Sequence, residues 1–178
     1  MPRLRLPLLA AAAALALLSG CASATSGPTT LVCPGAAVLA TAAHLARFRA
    51  GAAEDVRDLA LTARLHPPTG SCTPAGHGLM RVKASISLTA ALGPGATSRA
   101  ATIAYFVAVT RGNTILSKSV VALPLTFPPG VDRLAVTGRP LVFEVPLPAS
   151  GSAAAYQVLA GFQLTPAELA YNRAHPAP

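Results

Sequence analysis

The chain has 178 residues, only 11% of them charged, against about 25% in a typical domain, so there is little material for a dense catalytic or ion-pair network. The formal net charge is +8, yet the basic residues stand singly and the five Phe and three Tyr fall in apolar stretches. Nucleic-acid binding wants a basic stripe with exposed stacking rings, and this pattern excludes that partner.

Residues 1–20 read as a lipoprotein signal peptide. Arg3 and Arg5 open it, an Ala/Leu run too short to span a bilayer comfortably follows, and Leu18-Ser19-Gly20-Cys21 closes it. Those last four residues resemble the bacterial lipobox. The resemblance implies that Cys21 is acylated and heads the mature protein, which sets a cell-envelope address, a lipid bilayer as partner and an oxidising compartment. Losing Arg3 and Arg5 with the leader lowers the formal charge from +8 to +6, which suits anionic envelope surfaces but, with no run of basic residues, is better read as scattered, solvated side chains. Ala22 stands after the cysteine instead of the aspartate that retains some lipoproteins in the inner membrane, which favours the outer membrane, facing the periplasm. Residues 21–30 form a Ser/Thr/Gly/Pro tether; nine residues reach about 30 Å fully extended. The folded domain is expected over 31–174, with a disordered tail over 175–178.

With Cys21 acylated, Cys33 and Cys72 form an even pair with one possible pairing, a disulfide. A metal site using Cys33, Cys72, His77 and His66 competes, but no Cys-x-x-Cys or His-x-x-x-His spacing supports it, and oxidation removes the thiolates.

Pro and Gly cluster between apolar runs, as in a domain of many short strands. The segment 36–48 is alanine-rich enough to tolerate a helix, but its spacing and its exit from Cys33-Pro34 point to a first strand. In 59–65 the odd positions are apolar while Thr62 and Arg64 point the other way. From Met80 to Leu92 every even residue is apolar and Arg81, Lys83, Ser85, Ser87 and Thr89 line the opposite face, the pattern of one half-buried antiparallel strand. Gly93-Pro94-Gly95 ends it. Residues 101–110 return with apolar side chains on both faces, as a central strand would, and Arg111-Gly112-Asn113 turns the chain into a partner over 115–123. Pro124, Pro128 and Pro129 place the following segment at an edge or crossing. Further strands are expected at 133–136, 141–145 and 155–164.

The C-terminus switches to helix over about 166–172. Thr165 is the N-cap, Pro166 the first helical residue and Glu168 the partner that completes a capping box, with Leu164 and Leu169 as a hydrophobic staple that buries Leu169. Seven or eight strands and one short helix make a mostly β domain, an antiparallel two-sheet sandwich of immunoglobulin-like or fibronectin-like type. Tyr156 is weakly similar to the tyrosine corner of such folds; otherwise it is an aromatic of a core strand.

Catalytic patterns are missing from the sequence. It has no Gly-x-Ser-x-Gly elbow, no Ser-x-x-Lys, no His-Glu-x-x-His and no phosphate-cradling glycine loop, so an enzyme is not expected, and no cofactor or metal either. His44 reads as a surface or boundary residue, His66 and His77 as exposed loop residues, and His175 as part of the tail. Glu54, Asp55 and Asp58 beside Arg57 read as a solvated loop, since calcium would need six or more oxygens. Glu144 belongs to the polar face of a strand.

Cys33-Pro34, the strand Tyr105-Phe106-Val107-Ala108-Val109-Thr110 and the closing Gly161-Phe162-Gln163-Leu164-Thr165-Pro166 with its helix resemble an uncharacterised group of small lipoproteins from Gram-negative bacteria. The resemblance covers about residues 33–173. It implies an envelope address and a sandwich-like domain, and brings no activity. The function expected is a membrane-anchored, non-catalytic binding, scaffolding or accessory module for another envelope protein, with either the strand edge at 125–127 or the terminal helix region as the contact surface. The alternative is a periplasm-facing carrier or chaperone for a small apolar or metal ligand, in a pocket lined by Phe106, Phe143 and Phe162.

Overall fold

A computed structural model describes residues 31–176; the expected signal peptide, Cys21, the expected tether up to residue 30 and residues 177–178 lie outside the described residues. The strands in chain order are β1 (Gly35–Val38), β2 (His44–Phe48), β3 (Leu59–Leu65), β4 (Thr69–Gly76), β5 (Leu79–Ser85), β6 (Ser87–Leu92), β7 (Ala100–Arg111), β8 (Thr114–Thr126), β9 (Arg133–Thr137), β10 (Leu141–Pro146) and β11 (Tyr156–Phe162), followed by helix α1 (Pro166–Ala174). The domain is mostly β, with one short C-terminal helix.

Hydrogen bonding groups the strands as β1-β11-β7-β8, β2-β3-β6-β9 and β10-β5-β4. Three groups appear where two sheets were expected, because one layer is bent. β3 runs on into β4, β5 into β6 and β9 into β10, and the strand orders β3-β6-β9 and β4-β5-β10 match position for position. The breaks fall at one level: Pro67 and Pro68, Ile86, and Gly138 to Pro140. Proline cannot donate to a ladder, so pairing stops there. His66 N–H to the Ser87 carbonyl and Gly138 N–H to the Ile86 carbonyl, both 2.9 Å, bridge the corner. Residues 80–92, expected as one strand, are therefore two, although Met80, Val82, Ala84, Ile86, Leu88 and Ala90 are all buried, so the inward face continues through the bend. Bent strands and the divided first segment also raise the strand count above the expected seven or eight.

The first segment is split for a different reason. After β1 the chain turns through a 3-10 turn, Ala40–Ala42, and crosses into the other layer as β2. β1 pairs parallel with β11, Ala36 opposite Val158, which departs from an all-antiparallel sandwich. The two strands are far apart in sequence, and no hairpin dictates their relative direction.

β7 is central as expected, between β11 and β8. Its inner residues Ile103, Tyr105, Val107 and Val109 meet Leu61, Val82, Ile86, Leu88 and Phe143 of the bent layer in one buried cluster; each such burial contributes about 1.5–3 kcal/mol. Its other face is partly covered too. Phe106 lies under the Lys118 ammonium, 4.7 Å from ring centroid to Nζ, and beside Gly161, where a Cβ would stand 2.7 Å from that ring and 2.9 Å from the Ala42 Cβ. Gly112 takes φ +55° at the first position of the two-residue loop between β7 and β8. Pro124 is accommodated because β8 is an edge strand.

Candidate functional site

The outward face of β2-β3-β6-β9 is built from two cross-strand rows. His44, Arg64, Thr89 and Ala135 share one register level, and Ala46, Thr62, Ala91 and Arg133 the next. Period-two alternation sends all of these away from the core. Small side chains at 46, 62, 89 and 91 form a floor with tall side chains beside it, and a groove of about 550 Å³ results. A second hollow of about 370 Å³ adjoins it and shares His44, Arg64, Asn172 and His175.

Helix α1 is the fixed wall of this groove. The capping box is complete: the Thr165 hydroxyl accepts from the Glu168 N–H at 3.2 Å, and Glu168 Oε2 accepts from the Thr165 N–H at 2.8 Å. Glu168 does more than cap. Its Oε1 accepts from Arg47 Nε at 3.1 Å, and it is the buried residue of the helix, whereas the staple residue Leu169, expected inside, is only half-buried. The short helix docks through this ion pair in place of an apolar stripe. Asn172 Nδ2 then donates to the Thr41 and His44 carbonyls at 3.1 and 2.8 Å. Tyr171 meets Phe48 edge-on at 5.1 Å and stacks on His175 at 4.2 Å. His175, expected in a loose tail, is the C-cap, its N–H donating to the Tyr171 carbonyl at 2.9 Å.

The groove is cationic. Arg64 and Arg133 line it, Arg173 lines the adjoining hollow, and His44, His66 and His175 converge there, with no carboxylate among the lining residues. Elsewhere five of the six acids are paired, Asp55 with Arg57, Asp58 with Arg49, Asp132 with Arg99, Glu144 with Arg81 and Glu168 with Arg47, and the sixth, Glu54, lies outside the groove. Among the described residues, Arg64, Arg133 and Arg173 make no salt bridge. Partial burial, then the Arg64 charge, hold the His44 imidazole below its usual pKa, so it sits neutral near pH 7. His66 Nε2 lies 3.0 Å from Thr89 Oγ1, a histidine–hydroxyl contact without the orienting carboxylate that nucleophilic catalysis uses.

The other expected residues fall elsewhere. Cys33 and Cys72 are bonded, with Cα atoms 5.6 Å apart, and tie the start of β1 to edge strand β4. The 39-residue separation corresponds to about 4 kcal/mol of loop-closure stabilisation. His77 forms the exposed β4–β5 turn at φ +51°. Asp55 is held below the usual carboxylate range by hydrogen bonds from Arg57, and Glu144 faces Arg81 across β10 and β5 at 2.8 Å. Tyr156 is buried and its hydroxyl donates to the Pro146 carbonyl at 2.9 Å.

Two expectations are corrected. Phe143 and Phe162 lie in the inner core, but Phe106 is on the opposite face of its sheet, one register step from the Phe162–Tyr105 pair, so the three cannot line one pocket. Leu125 and Phe127 are each 2% exposed, so that edge offers a partner little of its apolar surface. Sequence reasoning passed over the groove because its histidines, at 44, 66 and 175, carry no signal until sheet pairing and helix docking bring them together.

No protein-family model matches the chain, and neither a curated protein nor a solved structure matches it.

Proposed function

We propose that this protein is a lipid-anchored accessory module of the cell envelope, non-catalytic, which presents the groove on β2-β3-β6-β9 to an anionic envelope component. The observation that carries the reading is the pair of uncompensated guanidinium groups, Arg64 and Arg133, lining a groove with no carboxylate among its lining residues. Cationic side chains gathered on one face without carboxylate partners favour an anion. Leu18-Ser19-Gly20-Cys21 supports the anchor, and the Cys33–Cys72 disulfide suits an oxidising compartment. Ala22 after Cys21 supports an outer-membrane, periplasm-facing position.

Two measurements test the two parts. Mass spectrometry of the protein from its native envelope should find Cys21 acylated and the leader removed; a free thiol with the leader attached overturns the anchor. Mild crosslinking followed by affinity capture should recover an envelope partner with the native chain and lose it with Arg64→Gln/Arg133→Gln. Unchanged recovery with that variant overturns the groove as the contact surface.

A further inference from the structure

We infer that the groove is a binding site for a multiply charged phosphate group, with Arg64 and Arg133 as its principal ligands and the edge formed by α1 as its border. The inference rests on reading the groove as the binding face and adds the chemistry of the ligand. Arg64 and Arg133 line the groove, Arg64 and Arg173 line the adjoining hollow, and neither lining includes an acid. One carboxylate would neutralise one of these guanidinium groups and leave the others uncompensated. A phosphomonoester dianion or a pyrophosphate carries enough charge and enough acceptor oxygens for several planar, forked donors at once.

The floor supports the same ligand. Ala46, Thr62, Thr89 and Ala91 are short, so a tetrahedral group can sink between taller side chains, and Thr89 adds a hydroxyl at the bottom. The border is already ordered: Asn172 fastens the helix to the His44 and Thr41 carbonyls, and His175 is stacked on Tyr171. His44 lies beside Arg64 in the pairing of β2 with β3. A bound phosphate would offset that guanidinium charge, so His44 is a built-in reporter of occupancy.

The test is calorimetric titration of the full chain, purified in detergent, with inorganic pyrophosphate, with dihexanoyl phosphatidate as a short-chain lipid headgroup, and with citrate as a polycarboxylate. Pyrophosphate, the phosphatidate or both should bind, the tighter one assigning a soluble or a lipid source. Each lost Arg–phosphate contact is worth about tenfold in affinity, so Arg64→Gln/Arg133→Gln should weaken binding at least that much. The charge-matched Arg111→Gln/Lys118→Gln, on the β7–β8 hairpin of the other layer, should change it by less than about twofold. Pyrophosphate should also raise the His44 pKa, followed by NMR in the native chain. Binding of neither phosphate compound, equal affinity for citrate, or equal loss in the two double variants would each overturn the proposal. If both phosphate compounds fail while the groove variant still loses its crosslinked partner, the phosphate assignment falls and the binding-face reading stands.

Discussion

The two halves of the bent layer, β4-β5-β10 and β2-β3-β6-β9, are joined through three continuing chain segments and present different outer faces. In the β4-β5-β10 half, Arg81 lies directly opposite Glu144 and the pair closes at 2.8 Å, while the Cys33–Cys72 bond fastens the edge. In the β2-β3-β6-β9 half, Arg64 lies opposite His44 and Thr89, and Arg133 opposite Ala91, so neither faces a carboxylate. A cross-strand pair of opposite charge contributes only a few tenths of a kcal/mol, to about 1 kcal/mol. Stability therefore does not require either arrangement. The difference is one of degree: beside the closed Arg81–Glu144 pair the exposed Lys83 is left without a salt bridge among the described residues, whereas on the other half Arg64 and Arg133 are both left uncompensated beside one groove.

Breaking the paired half at its covalent edge should have the largest effect. Cys33→Ser/Cys72→Ser is expected to lose about 4 kcal/mol in denaturant unfolding, and reductant on the native protein should reproduce the loss. At the corner between the halves, Ile86 is 1% exposed; Ile86→Ala should lose about 3 kcal/mol by transfer and cavity terms, read as a lower denaturation midpoint.

Two buried tyrosines sharpen the comparison further. Tyr156 donates to the Pro146 carbonyl at the end of the paired half, so Tyr156→Phe should lose about 1 kcal/mol. The Tyr105 hydroxyl has no protein partner and faces Gly138 at the corner, where an added Cβ would lie 2.2 Å away. Removing an unpartnered buried hydroxyl relieves its desolvation, so Tyr105→Phe should leave thermal stability unchanged or raised. Burial pushes the same phenol's pKa up.

The smallest effect belongs to the open half. Arg64→Gln should raise the His44 pKa toward 6.5, measured by NMR, because one of the two causes of its depression is removed. The folded state resists charging His44, so its contribution to stability is present in full above 6.5 and is lost as pH falls from there through the depressed folded value. The variant should soften that acid-side loss, seen as a flatter pH dependence of unfolding.

Much of the fold was legible from local pattern. Residues 59–65 alternate cleanly and are β3 as expected; the strand 100–111, the turn at Gly112 and the capping box of Thr165 and Glu168 were equally readable. Each depends on neighbours within a few residues: period-two alternation, a positive φ, or an N-cap reaching three positions on. The corner at Ile86 was not legible, since the inward face runs through it without a break and only the prolines of flanking strands, at 67, 68 and 140, interrupt the ladder. Nor was the parallel β1–β11 pair, made between segments at opposite ends of the domain.

By itself, then, the sequence determined which strand residues face inward, where the chain turns and how the helix starts, because alternation, turn chemistry and capping are short-range. Only the tertiary structure decided that Glu168 meets Arg47, that Phe106 and Phe162 lie on opposite faces, and that His44, Arg64, His66, Arg133 and His175 border one groove without a carboxylate. Those meetings depend on sheet order, on register and on where the helix docks, and such long-range pairings are set by how the whole core packs.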